Sequence, residues 1–99
     1  MAKINVKLFG VLRMGTGLAE ADIDVKTVSD IFDELNRMIA AQYPAKKAQA
    51  AAKGKALPQP DILSFKDAIV YINEKRCPKK NKELADGDKI MLLSPASGG

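Results

Sequence analysis

The residues best suited to chemistry in this 99-residue chain are its last five, Pro95 to Gly99, which end in two glycines. A C-terminal carboxyl group is ionised at neutral pH and is then a potential nucleophile. Glycine lacks a Cβ, so a backbone of two glycines can approach another surface closely. The pattern indicates that the carboxylate of Gly99 reacts inside the active site of another protein. The alternative is an ordinary frayed chain end.

The rest of the sequence offers little chemistry of its own. The chain has no histidine, which excludes a histidine-based catalytic dyad and argues against zinc, so we expect no metal site. Its single cysteine, Cys77, cannot form an internal disulfide. With no histidine to act as a base beside it, we interpret Cys77 as incidental.

The chain is basic, with a formal net charge of +4 and a sequence pI near 9.3. Five basic residues are concentrated in one run: Lys75, Arg76, Lys79, Lys80 and Lys82. No aromatic residue is interleaved with them, so the stacking platform typical of nucleic-acid binding is missing. We therefore expect a solvated loop that steers toward an acidic partner, and no nucleic-acid partner.

Hydropathy argues against a membrane role. No apolar run approaches the roughly 18–20 residues that a membrane span requires, and we recognise no signal-peptide hydrophobic region. The sequence therefore predicts one cytoplasmic domain without a membrane partner.

The N-terminal half shows the patterns of a β-β-α unit. Apolar and polar residues alternate over residues 3–9 and again over 21–26, which predicts an antiparallel hairpin joined by a glycine-rich turn at residues 10–17. Thr27, with Asp30 three positions later, predicts the start of a helix. Because Pro44 disfavours helical geometry in the preceding residue, we expect this helix to end near Gln42 and Tyr43.

Residues 45–60 form a basic insertion rich in Ala, Lys and Pro. One interpretation is a basic contact surface for acidic partners or nucleic acid. The other, which we favour, is a short solvated helix over 45–57, interrupted at Gly54 and closed by the prolines that follow.

The C-terminal half predicts two further strands. The apolar run 68–72 is typical of a central strand buried on both faces, followed by a turn at 73–75. Residues 84–88 predict a tight turn with glycine at position 87, and the alternation that follows predicts a last strand ending before Pro95. The order indicates a small α+β fold, with the last strand beside the first.

At this point the chain resembles a known family, the MoaD/ThiS-type sulfur carriers of the ubiquitin-like β-grasp superfamily. The matching segments are L-F-G-x-L-R at 8–13, V-Y-I-N at 70–73, L-A-D-G-D-K-I at 84–90 and S-P-A-S-G-G at 94–99. The resemblance implies a β-grasp domain over residues 1–93, with a mixed sheet of four to five strands on one main helix, and a flexible tail over 94–99. Two departures from the family pattern are Ser94 in place of a first proline and Glu74 in place of a turn glycine.

The resemblance also implies partners and a reaction. Gly99 would be adenylated with ATP by a ubiquitin-activating-type enzyme, similar to MoeB and ThiF, and then converted to a thiocarboxylate. Pro95, Ser97 and Gly98 would be the residues of the tail that the partner recognises. No cofactor would be bound stably, because the activating partner uses the ATP.

Strand parity predicts a docking surface. If the apolar side chains of the first and last strands face the helix, then Phe9, Tyr71, Met91 and Leu93 lie on the opposite face. Exposed apolar residues grouped on one sheet face suggest a partner site. The alternative is that they cap the sheet edge or pack beneath the insertion.

The leading interpretation is the small subunit of molybdopterin synthase, which would donate sulfur inside a larger, MoaE-like catalytic subunit. A ThiS-like sulfur donor for thiamine thiazole synthesis is the nearest alternative. Two hypotheses from other classes are a ubiquitin-like modifier conjugated through Gly99 and a basic RNA-binding β-grasp module.

Overall fold

The computed structural model describes residues 1–94, and within that range five strands form one mixed sheet. The strands are β1 (Ala2–Leu8), β2 (Glu20–Val25), β3 (Ile69–Ile72), β4 (Lys75–Arg76) and β5 (Lys89–Leu93). The helices are α1 (Gly10–Thr16) and α2 (Val28–Ala52), and a 3₁₀ turn spans Phe65–Asp67. The spatial order β2-β1-β5-β3-β4, with α2 on one face, confirms the predicted α+β β-grasp fold.

The core lies between α2 and one face of the sheet, because the alternation of β1 and β5 turns their apolar side chains to the same side. Val6 and Leu92 have no solvent exposure. Val28, Ile31 and Leu35 of α2 are equally buried and cover them at helical spacing. Burying each such side chain stabilises the fold by about 1.5–3 kcal/mol.

The β1–β2 hairpin has the predicted antiparallel pairing, from Ala2 opposite Val25 to Lys7 opposite Glu20. The predicted glycine-rich turn between the strands is wrong, since residues 10–16 form α1. Gly10 and Gly17 lie at its two ends with φ of 57° and 73°, and Thr16 between them is buried. The glycines therefore begin and end a short helix, and do not form one continuous turn.

The predicted start of α2 is confirmed by a reciprocal capping pair. Asp30 N–H donates to Thr27 Oγ1 at 3.4 Å, and Thr27 N–H donates to Asp30 Oδ2 at 3.1 Å. The predicted end at Gln42 and Tyr43 is wrong, because α2 continues through Pro44 to Ala52. The Ala- and Lys-rich residues that follow are good helix formers, and side-chain contacts described below hold them to the body.

On the outer surface of α2, Arg37 pairs with Glu34 one turn earlier. The hydrogen bond and the positive charge of Arg37 lower the pKa of Glu34 from its ordinary value. Arg37 is exposed and Glu34 is partly exposed, so water screens the pair and it adds little to stability.

The strand Ile69–Ile72 is not the central strand that its apolar run predicts. It lies between β5 and the two-residue edge strand β4, and of its residues only Val70 is buried. The centre of the sheet is β5, which pairs in parallel with β1 and antiparallel with β3. Strand order depends on pairing between distant segments, which a local apolar run does not encode.

Candidate functional site at the end of β5

The chain leaves the sheet at the carboxyl end of β5. Leu93 is its last strand residue and Ser94 the last described residue, so the predicted tail residues Pro95, Ser97, Gly98 and Gly99 lie outside the described residues. Because β1 runs parallel to β5, it ends at the same edge of the sheet. Phe9 N–H donates to Leu92 C=O at 3.1 Å, which places the start of α1 directly beside the exit of the tail.

The structure brings the four predicted surface residues to one face, opposite α2. Tyr71 and Met91 are register partners across β3 and β5, and Leu93 follows on the same face. Phe9 continues the alternation of β1 in extended conformation, so it lies on the side opposite the buried Leu8. Phe9 is 39% exposed, and the other three are half-buried.

Ile69 completes this apolar group, and sequence reasoning missed it. It is half-buried and pairs with Leu93 in the register of β3 and β5. The signal was present, because Ile69 lies two residues before Tyr71 and so shares its face. We call Phe9, Ile69, Tyr71, Met91 and Leu93 the apolar face.

The other half of the open sheet surface is polar. The Asn5 side-chain amide donates to Glu20 Oε2 at 2.7 Å and to Asp22 Oδ1 at 2.9 Å, which satisfies two carboxylates of the edge strand β2. Lys7 lies opposite both Glu20 and Met91 in the register and marks the border with the apolar face. The open surface of the sheet is therefore divided into an acidic edge and an apolar centre.

The turn between β3 and β4 bounds the apolar face at its far end. Asn73 and Glu74 both adopt left-handed backbone conformations, with φ of 50° and 72°. The Asn73 side chain donates to Asp88 Oδ1 at 2.9 Å and accepts from Lys89 N–H at 3.0 Å. These bonds connect the turn to the start of β5. The predicted turn at Gly87 lies beside it, and the φ of 88° at Gly87 confirms that this position favours glycine.

Cys77 lies away from the site and is 9% exposed. Its thiol donates to Lys79 C=O at 3.4 Å, and its side chain belongs to the hydrophobic core. Within residues 1–94, no group of three histidine, cysteine, aspartate or glutamate side chains is placed to hold a metal ion. No helix in the described range is long and apolar enough to cross a membrane.

The comparison with protein families assigns the chain to a family. The model of the ThiS family matches residues 6–99, which include both the sheet and the tail. The chain belongs to the ThiS family. No curated protein sequence matches it.

Solved structures related to this ThiS-family chain have the same fold. The small archaeal modifier protein 1 of Methanosarcina acetivorans is 28% identical, with a TM-score of 0.65, 100% of this chain covered and 98% of the other. A Pyrococcus furiosus protein described as molybdopterin converting factor, subunit 1, is 20% identical, with a TM-score of 0.62 and coverages of 96% and 99%. The corresponding modifier protein of Haloferax volcanii is 24% identical, with a TM-score of 0.61 and coverages of 99% and 100%.

The family match and the shared fold confirm the predicted resemblance to MoaD/ThiS-type β-grasp proteins. This ThiS-family chain is a ThiS/MoaD-like sulfur carrier or a ubiquitin-like modifier. Proteins of this type generally act with an adenylating enzyme and a larger subunit. The roles of the tail residues and of the apolar face stay predictions.

Proposed function

We propose that the chain is a sulfur carrier whose C-terminal glycine is adenylated and then thiocarboxylated, and that it acts as the small subunit of molybdopterin synthase in the cytoplasm. The observation that carries this proposal is the family match, which runs through the last strand to Gly99 itself. A likeness in fold to the P. furiosus molybdopterin converting factor subunit adds support.

The reaction balances as one substitution at the α-phosphorus of ATP followed by one at the carbonyl carbon of Gly99. The Gly99 carboxylate attacks the α-phosphate of ATP in the activating enzyme, and pyrophosphate leaves. Sulfur at the oxidation level of sulfide, such as hydrosulfide, then adds to the carbonyl carbon of the acyl-adenylate and AMP departs, so a C–S bond replaces the C–O bond to the phosphate. Splitting the substitution in this way supplies the good leaving group that a free carboxylate lacks. Sulfur then passes to a pterin precursor, and water restores the carboxylate.

The sequence of the tail suits this task. Residues 94–99 can span at most about 20 Å at roughly 3.3–3.6 Å each, enough to enter a channel while the domain stays outside. Pro95 fixes one φ angle and so lowers the entropy lost when the tail is ordered. A side chain at position 98 or 99 would collide with a channel shaped for bare backbone. In the proposal, the apolar face docks on the partner that receives the tail.

Deleting Gly99 tests the proposal directly. We expect the shortened chain to lose ATP-dependent activation completely, because the reacting carboxylate would be displaced by one residue. Its thermal unfolding should be unchanged, since the core described within residues 1–94 ends at Leu92. The measurement is ATP–pyrophosphate exchange with the adenylating enzyme of the same host, followed by mass spectrometry of the intact chain for replacement of one oxygen by sulfur. Full activity of the shortened chain would contradict the proposal.

A second candidate function is conjugation to other proteins as a ubiquitin-like modifier. The specific observation in its favour is the 28% identity to the M. acetivorans modifier protein over the full chain. Both functions begin with the same adenylate, so activation alone does not separate them. Mass spectrometry of host proteins does: Gly-Gly remnants on lysines mark conjugation, and a free thiocarboxylated chain marks sulfur transfer. A thiazole product formed from that chain would assign it to the ThiS-like alternative.

A further inference from the structure

The second half of α2 extends beyond the body of the domain. The last buried side chain of the helix is Ile39, and the helix continues to Ala52. At a rise of 1.5 Å per residue, residues 40–52 are about 20 Å long, of which about 9 Å lie beyond Lys46, the last residue bonded to the body. We call residues 40–56 the arm, which includes the end of α2 and the turn after it.

The arm holds the excess positive charge of the chain. It contains four lysines, at positions 46, 47, 53 and 55, and no acidic residue. The chain has 16 basic and 12 acidic residues, so the basic residues outside the arm balance the acidic ones. Of the segments packed against the arm, α1 contributes no acidic residue and the loop 57–62 contributes only Asp61. The rest of the chain is therefore formally neutral in sum, with the basic run 75–82 balanced by acidic residues elsewhere, and the arm is a cationic extension.

Hydrogen bonds hold the arm in one orientation. Lys46 Nζ donates to Gly17 C=O at 2.9 Å, and Tyr43 Oη donates to Leu57 C=O at 2.8 Å. The loop that follows is held in turn, since Asp61 N–H donates to Gly15 C=O at 2.9 Å. Lys46 is therefore used internally, whereas Lys47, Lys53 and Lys55 are exposed. Lys47 directly follows this anchor, and Lys53 and Lys55 lie farther along the arm.

The arm lies at the end of the domain from which the tail leaves. α2 begins where β2 ends, and β2 is antiparallel to β1, so the helix runs toward the edge where β1 and β5 finish. The contact of Lys46 with Gly17, just after α1, places the arm at that edge. The helix continues about 9 Å beyond Lys46, and the six residues 94–99 could span at most about 20 Å if fully extended. A protein that takes up Gly99 therefore comes within reach of the arm.

We propose that the arm docks against an acidic protein surface beside the entrance of the active site that receives Gly99. The inference rests on the proposed function, because it assumes a partner that takes up the tail. A protein surface fits better than nucleic acid: the only aromatic ring of the arm, Tyr43, is half-buried and its hydroxyl is bonded to Leu57, so no base-stacking platform is presented. Charge complementarity of this kind mainly accelerates association.

The test compares two sets of charge reversals. In the arm variant, Lys47→Glu, Lys53→Glu and Lys55→Glu are combined. In the control, Lys3→Glu, Lys26→Glu and Lys89→Glu make the same change in net charge at exposed positions of the opposite sheet edge, where β1 and β5 begin and β2 ends. Both keep the tail intact.

ATP–pyrophosphate exchange with the adenylating enzyme of the same host gives the KM for the carrier and kcat. We expect the arm variant to raise KM about tenfold at low salt, the lower end of electrostatic steering, with kcat unchanged. The difference should shrink as salt screens the charges, and the control should stay near the unaltered chain. Because glutamate at the end of a helix is unfavourable, a Lys→Gln version is measured too, and far-UV circular dichroism checks its helix content. It should give an intermediate KM.

Each outcome has a separate meaning. Equal KM values for the arm variant and the control, with normal exchange by the unaltered chain, would overturn the docking role and leave the proposed function intact. No exchange even with the unaltered chain would overturn both. Salt-sensitive binding of total tRNA that the arm variant loses, at unchanged KM, would assign the arm to RNA and overturn the protein partner.

Discussion

At the scale of single residues, the turn from β3 to β4 contains two residues in the left-handed conformation, Asn73 and Glu74, and hydrogen bonds of its side chain support the first. Asn73 has side-chain bonds to Asp88 and Lys89 that compensate for its left-handed conformation. Glu74 has a φ of 72°. A residue other than glycine in this region costs about 1–2 kcal/mol, so the position retains strain that a glycine would remove.

Glu74→Gly should therefore stabilise the domain. The free energy gained by removing the backbone strain exceeds the cost of the extra conformational entropy that glycine gives the unfolded chain. We expect the free energy of unfolding to rise by about 1 kcal/mol. In a domain of this size, that raises Tm by about 4–8 °C in thermal unfolding.

Gly87→Ala is the matched control for this substitution. Gly87 has a φ of 88°, and a Cβ there would meet open space. The change in stability therefore reports only the cost of the left-handed backbone conformation, with no contribution from a steric clash. It should lower stability by about 1–2 kcal/mol. Shifts of the same sign for the two variants would contradict the explanation from backbone strain.

At the scale of elements, α2 is the most unusual component, because it carries Pro44 in its interior. Proline has no N–H to donate to the carbonyl four residues earlier, and its ring crowds the preceding turn. The helix nevertheless continues, held on either side of the proline by the bonds of Tyr43 and Lys46.

Pro44→Ala should restore the missing hydrogen bond and stabilise the domain by about 1–3 kcal/mol, since proline inside a helix costs about 3 kcal/mol. Thermal unfolding measures the gain, and far-UV circular dichroism should show unchanged or slightly higher helix content. Lower stability would mean that Pro44 begins a separate helix, where proline is favourable.

The sequence predicted those elements that repeat a pattern over several residues. The alternation in β1, β2 and β5 and the Thr27–Asp30 cap were enough to assign the strands and the start of α2. It did not predict α1, because seven residues that include Gly10 and Gly15 show too little periodicity to distinguish a short helix from a turn. The end of α2 was missed because contacts from distant residues outweighed the local effect of Pro44.

The candidate site was also predictable only where residues alternate regularly along a strand. Parity placed Phe9, Tyr71, Met91 and Leu93 on one face because each follows or precedes a buried neighbour. Ile69 was missed because the strand was interpreted as buried on both faces, although the sheet order leaves only Val70 buried. The position of β3 between β5 and β4 arises from long-range pairing, which no local pattern records.

At the scale of the whole molecule, the apolar face and the loop 57–62 expose apolar side chains on opposite sides of the sheet and helix layers. This arrangement provides a matched pair of substitutions. Phe9, at 39% exposure, lies on the apolar face beside the tail exit, and Ile62, at 82%, lies on the helix side.

Under the proposed function, Phe9→Asp should weaken the complex with the activating enzyme at least tenfold in Kd, because a charge would be desolvated on the proposed docking surface. Ile62→Asp should leave Kd unchanged when both variants are measured at a salt concentration that screens the charges of the arm. Isothermal titration calorimetry measures both, and thermal unfolding confirms that each variant folds. Unfolding of Phe9→Asp would instead show that its side chain belongs to the core.

The central place of β5 has a mechanical consequence. The tail is joined to a strand with hydrogen-bonded neighbours on both sides, β1 and β3. A force applied to the chain end acts along β5 and is resisted by the hydrogen bonds to both neighbouring strands at once. Those hydrogen bonds would have to break together, whereas a strand at the edge of a sheet can be separated one bond at a time. An enzyme that binds the C-terminus can therefore exert force on it while the domain stays folded.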